Sequence, residues 1–239
     1  MSNDRKAGLA KPVTLLAAWD ATAALSPHTR GPALLDLARP SAETALDLPL
    51  GEMTRLLAAV CAEAFGARVA AVVGCRGCGT QLDVDLDLAR LAGAEPARYE
   101  PESMVGNMTV RTPTARDLVA AEHCADPAAE VVRRCVRDGE GAPAALDDLG
   151  ETELAAVDAE LDRRAGSFLP SVGGQCPVCS QPVHAALDTA ALTWAQVRAK
   201  AGRLLGDVAD LAAAFGWTEA EVLALPEHRR AAYLELTRT

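Results

Sequence analysis

Apolar positions recur along this chain with two different periods, and the switches between them divide it into regions. Over 13–24, VTLLAAWDATAA is apolar enough for a short helix carrying Trp19, and PALLDLA at 32–38 predicts a second short piece. A stronger helical signal follows: Leu56, Leu57, Val60, Cys61, Ala64 and Phe65 recur at i, i+3, i+4 spacing, and Gly66 is a natural stop. Beyond it an apolar lead-in reaches a knuckle at Cys75 and Cys78. Leu82, Val84, Leu86 and Leu88 then alternate with Gln81, Asp83, Asp85 and Asp87. A strict period of two predicts a hairpin with one buried face and one acidic face.

Residues 93–112 hold four Pro or Gly breaks and no clear period, which predicts a loop. The helical period returns in RTPTARDLVAAEHC, with Thr112 before Pro113 as one N-cap option and Thr114 with Asp117 as another. DPAAEVVRRCV extends it to Val136. A linker and turn lead to a helix over Glu151–Ala165 with Leu154, Val157 and Leu161 on one face. Then GQCPVCSQPVHAALD (174–188) repeats the knuckle-and-alternation pattern. Thr189–Phe215 reads as one long helix carrying Leu192, Val197, Leu204, Leu205, Val208, Leu211 and Phe215, with Gly216 at its C′ position. Thr218 and Glu221 are placed for a capping box, and Trp217 and Val222 for a hydrophobic staple. Pro226 ends that helix and opens the last one.

The organisation predicted is therefore a flexible tail (1–12), an N-terminal helical region (13–66), a first hairpin (67–92) and a loop (93–112). A helical insertion (113–166), a second hairpin (167–188) and a C-terminal helical region (189–239) complete it. The fold class is mainly α with a small β ribbon, helices lying before, within and after it.

Composition narrows what such a protein does. Half of the 239 residues are apolar but only 3% are aromatic, which favours helices packed through Ala and Leu. No apolar run reaches the roughly 18 residues that cross a bilayer, and the first dozen residues lack the apolar core of a secretory signal. A cytoplasmic setting without membrane insertion is expected, and there paired Cys-x-x-Cys motifs predict metal rather than disulfide. The net charge of −10 argues against nucleic acid as a partner, since phosphate-backbone affinity comes from clustered Lys and Arg.

The candidate chemistry lies in the two knuckles, with 97 residues between Cys78 and Cys176. The copies match beyond their cysteines: an apolar lead-in, Cys-x-x-Cys, an alternating strand, then Leu86-Asp87 in one and Leu187-Asp188 in the other. Two such hairpins facing each other would put Cys75, Cys78, Cys176 and Cys179 around one tetrahedral Zn2+, a split zinc ribbon. Four soft thiolates close the coordination sphere and leave no position for water, so the site would be structural. A degenerate ribbon without metal and a redox pair are the alternatives, though neither motif opens a helix in a βαβ setting. Cys61, Cys124 and Cys135 read as small core residues. His123, beside Cys124, and His184, five residues after Cys179, could in principle be ligands, though His184 falls on the polar side of its strand; His28 and His228 have no partners in the pattern. Asp83, Asp85 and Asp87 lack the glycine and terminal glutamate of a calcium loop and read as a solvated face. No phosphate loop, nucleophile elbow or helical His pair is present in the sequence, so an enzyme is not expected.

The C-terminal third, with Trp194 near the start of the long helix and FGWTEAEVLALP within 211–234, resembles the T4-type bacteriophage baseplate protein family of contractile phage tails and phage-tail-like injection systems. VRTPTARDLVA, RRCV, the two knuckles and LPLGEM extend the likeness patchily back to about Leu48. The resemblance implies a non-enzymatic baseplate or hub component, or an assembly factor for one, with baseplate, hub or spike subunits as partners. It also implies partner contacts at Trp217, Arg229, Arg230 and Tyr233. The alternative of another class is a zinc-ribbon adaptor or regulator of transcription or nucleic-acid machinery, which would need a basic stripe.

Overall fold

The computed structural model describes residues 8–93, 102–165 and 169–237. It is mainly helical with small antiparallel sheets. Helices α1 (Pro12–Thr22), α2 (Pro27–Ala38) and α3 (Leu50–Phe65) form the first layer. Pro12 and Pro27 open the first two, where a missing N–H removes nothing the helix uses, and the Ser26 hydroxyl accepts the Thr29 amide. Gly66 closes α3 at φ +109°, a conformation that disfavours a side chain.

Strands β1 (Arg68–Gly74) and β2 (Gln81–Asp87) pair antiparallel, and a short helix α4 (Leu88–Ala92) leaves β2 directly. Strands β3 (Glu102–Val105) and β4 (Met108–Arg111) follow, then α5 (Ala115–Ala121), α6 (Pro127–Cys135), β5 (Val136–Arg137) and α7 (Glu151–Ala165). Strands β6 (Ser171–Gln175) and β7 (Pro182–Ala186) form the second hairpin. The chain ends in α8 (Thr189–Phe215), α9 (Glu219–Ala224) and α10 (Glu227–Leu236). No helix among the described residues is long and apolar enough to cross a membrane.

Three cores organise these elements. The largest joins α1, α2 and α3 to α8 through Leu15, Leu34, Leu57, Val60, Val197 and Leu204. Gly31 makes the α2–α8 approach close enough that a Cβ there would meet the Ala190 Cβ at 2.8 Å. The insertion has its own core of Met108, Val110, Cys135, Val136, Val157 and Leu161. A third, small core of Cys61, Val69, Leu86 and Leu88, with Leu187 and Leu192 against it, ties both hairpins to α3 and α8.

Four expectations are corrected. Within the supposed tail, residues 8–10 form a 3-10 turn and Leu9 is buried in the main core, because helix formation begins at Pro12; residues 1–7 lie outside the described residues. The supposed loop at 93–112 contains the β3–β4 hairpin. Gly106, at φ +62°, is its first turn residue rather than a break, as a two-residue hairpin turn requires. The rest of that stretch, at 94–101, lies outside the described residues, as do 166–168 and 238–239 of the regions predicted there. Helicity is interrupted between α5 and α6, and Val136 belongs to β5, paired with Val110. Cys124, in that interruption, is exposed rather than core, while Cys61 and Cys135 are fully buried. The Thr114 option is the one used: Thr114 and Asp117 complete a capping box.

Candidate metal centre

Each knuckle is built by backbone geometry before any metal is considered. In the first, the Cys75 amide donates to the Thr80 carbonyl at 2.9 Å, and the Gly79 amide donates to the Cys75 carbonyl at 2.8 Å. In the second, the Cys176 amide donates to the Gln181 carbonyl and the Ser180 amide to the Cys176 carbonyl, both at 2.9 Å. Gly79 (φ +76°) and Ser180 (φ +58°) occupy the same left-handed position. Ser180 is the only described non-glycine residue with positive φ.

The correspondence runs on at a constant offset through the whole unit. Arg68 pairs with Asp87, and Ser171 with Ala186, so the two hairpins share one register. Asp87 caps α4 by accepting the Arg90 amide at 3.1 Å, and Asp188 caps α8 by accepting the Ala191 amide at 2.9 Å. Each half is therefore a hairpin that launches a helix from an aspartate. Sequence reading noted the Leu-Asp match but missed that these aspartates are caps. An alignment of the halves extended past the strands carries that signal.

The two knuckles meet. Cys75 Sγ lies 3.6 Å from Cys179 Sγ, and Cys78 Sγ lies 3.7 Å from Cys176 Sγ. All four sulfurs fall within 4.8 Å of one another. Tetrahedral ligation with metal–sulfur bonds of about 2.3 Å has sulfur–sulfur edges of about 3.8 Å, so the cross-hairpin pairs already stand at that spacing. Four cysteines thus cluster closely enough to bind a metal ion. Cys75 and Cys176 are buried, Cys179 is half-buried and Cys78 is exposed.

Electrostatics split the cluster. The Thr80 hydroxyl, 3.2 Å away, and the Thr80 amide favour the thiolate of Cys78 and draw it down to about 6. Cys179 receives a Gln181 amide that favours its thiolate, but burial and the neighbouring sulfurs push it up to about 12. Four negative charges in so small a volume oppose one another, and a cation at the centre is what would let them coexist.

Two grooves of about 400 and 530 Å3 run along either side of the interface, lined by Val73 and Val84 with Leu82, Gly174 and Val183 on one side and Leu86 and Ala185 on the other. Beyond the grooves lies the small core of Cys61, Val69, Leu86 and Leu88, with Leu187 against it. The cluster therefore joins the knuckle end of the pair and this core the other.

The remaining candidates lie elsewhere. His28, His123, His184 and His228 are exposed and none joins the cluster. Asp83, Asp85 and Asp87 are exposed on the outer face of β2. Burial pushes the Cys61 thiol up to about 11 and the Cys135 thiol up to about 12. Trp217 and Tyr233 stack edge-on at 4.8 Å between centroids. Phe215 completes the group at 5.0 Å from Trp217 and 5.9 Å from Tyr233. Arg229 is exposed, whereas Arg230 is buried and donates to Asp207 at 2.9 Å, so Arg230 is turned inward and does not present a surface contact. Phe215, read as a helix-core position, is 42% exposed at this corner. Comparisons with protein-family models, curated proteins and solved structures find no match to this chain.

Proposed function

We propose that this chain is a non-enzymatic structural or assembly component of the baseplate or hub of a contractile, phage-tail-like injection particle, shaped by one structural zinc ion in a split ribbon. The observation that carries the metal reading is the convergence of four sulfurs from hairpins about a hundred residues apart, at tetrahedral spacing. An all-thiolate set is soft and fills four positions, which suits Zn2+ and leaves none for water or substrate. Its role is rigidity. One hairpin launches α4 against α3, and the other launches the 27-residue α8. Fixing the hairpins fixes the direction of α8 and of the aromatic corner it carries.

The particle reading is supported by the likeness of 211–234 to T4-type baseplate proteins, and that segment forms the aromatic corner of Phe215, Trp217 and Tyr233 beside exposed Arg229. Aromatic and arginine side chains are over-represented where partners bind most tightly. Baseplate, hub or spike subunits are the partners proposed, in the cytoplasm or in assembled particles.

Elemental analysis of the purified chain, expected to return one zinc per molecule, tests the metal. Mass spectrometry of particles from cells carrying wild-type or Cys176→Ser chain tests the function. Wild-type chain in the particle, or failed assembly with the variant, supports it. Normal particles that lack the chain and form equally well without it would overturn it. A salt-dependent gel shift with duplex DNA would instead favour the nucleic-acid adaptor.

A further inference from the structure

The cluster also has the layout of a two-stage thiol oxidation site, and this inference rests in part on the metal reading above. Each cross-hairpin sulfur pair contains one accessible and one buried member. Exposed Cys78 faces buried Cys176 at 3.7 Å, and half-buried Cys179 faces buried Cys75 at 3.6 Å. A hydroperoxide meets the more accessible sulfur of each pair first, and a sulfenic acid becomes a disulfide when a second thiol stands beside it. The geometry points to Cys78 and Cys179 as oxidant-capturing residues, with Cys176 and Cys75 resolving them, so that a hydroperoxide converts the thiol cluster into two disulfides crossing between the hairpins.

The chemistry balances with a hydroperoxide as the oxidant. The Cys78 thiol attacks the distal peroxide oxygen and the O–O bond breaks. Cys78 becomes a sulfenic acid, two electrons pass to the peroxide, and an alcohol or water leaves. The Cys176 thiol then attacks the Cys78 sulfur; an S–S bond forms, the S–O bond breaks, and water departs with the thiol proton. The same sequence at Cys179 and Cys75 consumes a second hydroperoxide. Bond formation needs each pair to close from 3.6 or 3.7 Å to about 2.0 Å. Any bound metal loses its thiolates and leaves. The connection between the hairpins survives, because each new bond spans the joint that the metal held. Disulfides within each Cys-x-x-Cys would have the opposite result and let the two knuckles part.

The other thiols do not compete from the interior, since Cys61 and Cys135 are fully buried. Cys124 is exposed and is removed from the test by Cys124→Ser.

Peptide mapping separates cross-hairpin from intra-knuckle bonds, because Arg76 lies between Cys75 and Cys78 while no Lys or Arg lies between Cys176 and Cys179. The Cys124→Ser chain is treated with hydrogen peroxide, alkylated and digested with trypsin without reduction. Cross-hairpin oxidation joins three peptides, 69–76, 77–90 and 165–198, into one species. Titratable thiols fall from six to two. A 69–76/77–90 pair beside an internally bridged 165–198 would overturn the proposal, as would sulfonic acids without disulfides. Metal content measured before oxidation keeps the two readings apart. Chain purified without zinc that still yields the three-peptide species sinks the metal reading and leaves the oxidation site standing. Zinc-loaded chain that yields intra-knuckle bridges does the reverse.

Discussion

Stripping the proposed metal is the perturbation whose magnitude the structure sets most directly. An ion held by Cys78 and Cys176 cross-links positions 98 residues apart. Closing a loop of that length removes about 4.7 kcal/mol of chain entropy from the unfolded state. For a chain of this size about 1 kcal/mol moves the melting temperature by about 2–4 °C, so chelation should lower it by roughly 10–20 °C. The far-UV helical signal at room temperature should persist, because neither the main core nor the insertion core contains a knuckle residue. The assay is thermal denaturation followed by circular dichroism, before and after a zinc chelator, with metal content measured on the same samples. Cys176→Ser should reproduce the shift and become insensitive to the chelator, since both act on one interaction. Complete metal removal with an unchanged melting temperature would refute the reasoning that the ion ties the hairpins together.

Three further outcomes follow from particular contacts. Gly31→Ala should destabilise by about 1–2 kcal/mol in urea denaturation although alanine is the better helix former. Its Cβ would sit 2.8 Å from the Ala190 Cβ, and Ala190→Gly should recover part of the loss. Burial opposes ionisation of Asp117, but hydrogen bonds from Arg111 at 2.7 Å and from the Thr114 amide outweigh it and hold the carboxyl well below its ordinary 3.8. A depressed folded value contributes stability that is present above about pH 4 and lost as pH falls toward the folded value. Urea midpoints should therefore drop on acidification more steeply in wild type than in Asp117→Asn, and parallel curves would exclude this role. Arg230→Ala should cost about 1–3 kcal/mol through its lost bond to Asp207, while Arg229→Ala should stay within about 0.5 kcal/mol, both read by thermal denaturation.

Local signals carried much of this architecture. The end of α3 at Gly66, the whole extent of α8, the capping boxes at Thr114 and Thr218 and the alternation of β2 are short-range rules written in neighbouring residues. So was the pairing of two distant knuckles, because internal similarity marked Cys75, Cys78, Cys176 and Cys179 as one set. What short-range rules could not weigh was context. Gly106 reads as a break until β5 supplies the strand beside β4. Leu9 reads as tail until α2 and α3 surround it. Arg229 and Arg230 are equivalent in sequence, and only the packing of α10 on α8 turns one outward and buries the other against Asp207.

By itself, the sequence determined which residues could ligate, because thiolate chemistry and Cys-x-x-Cys spacing are local properties. Only the tertiary structure decided which sulfurs stand closest across the joint, Cys75 with Cys179 and Cys78 with Cys176, and that each close pair joins a more accessible thiol to a buried one. Distance and burial across a hundred residues arise from packing of α3, α8 and both hairpins around shared cores, and no window of sequence contains that information.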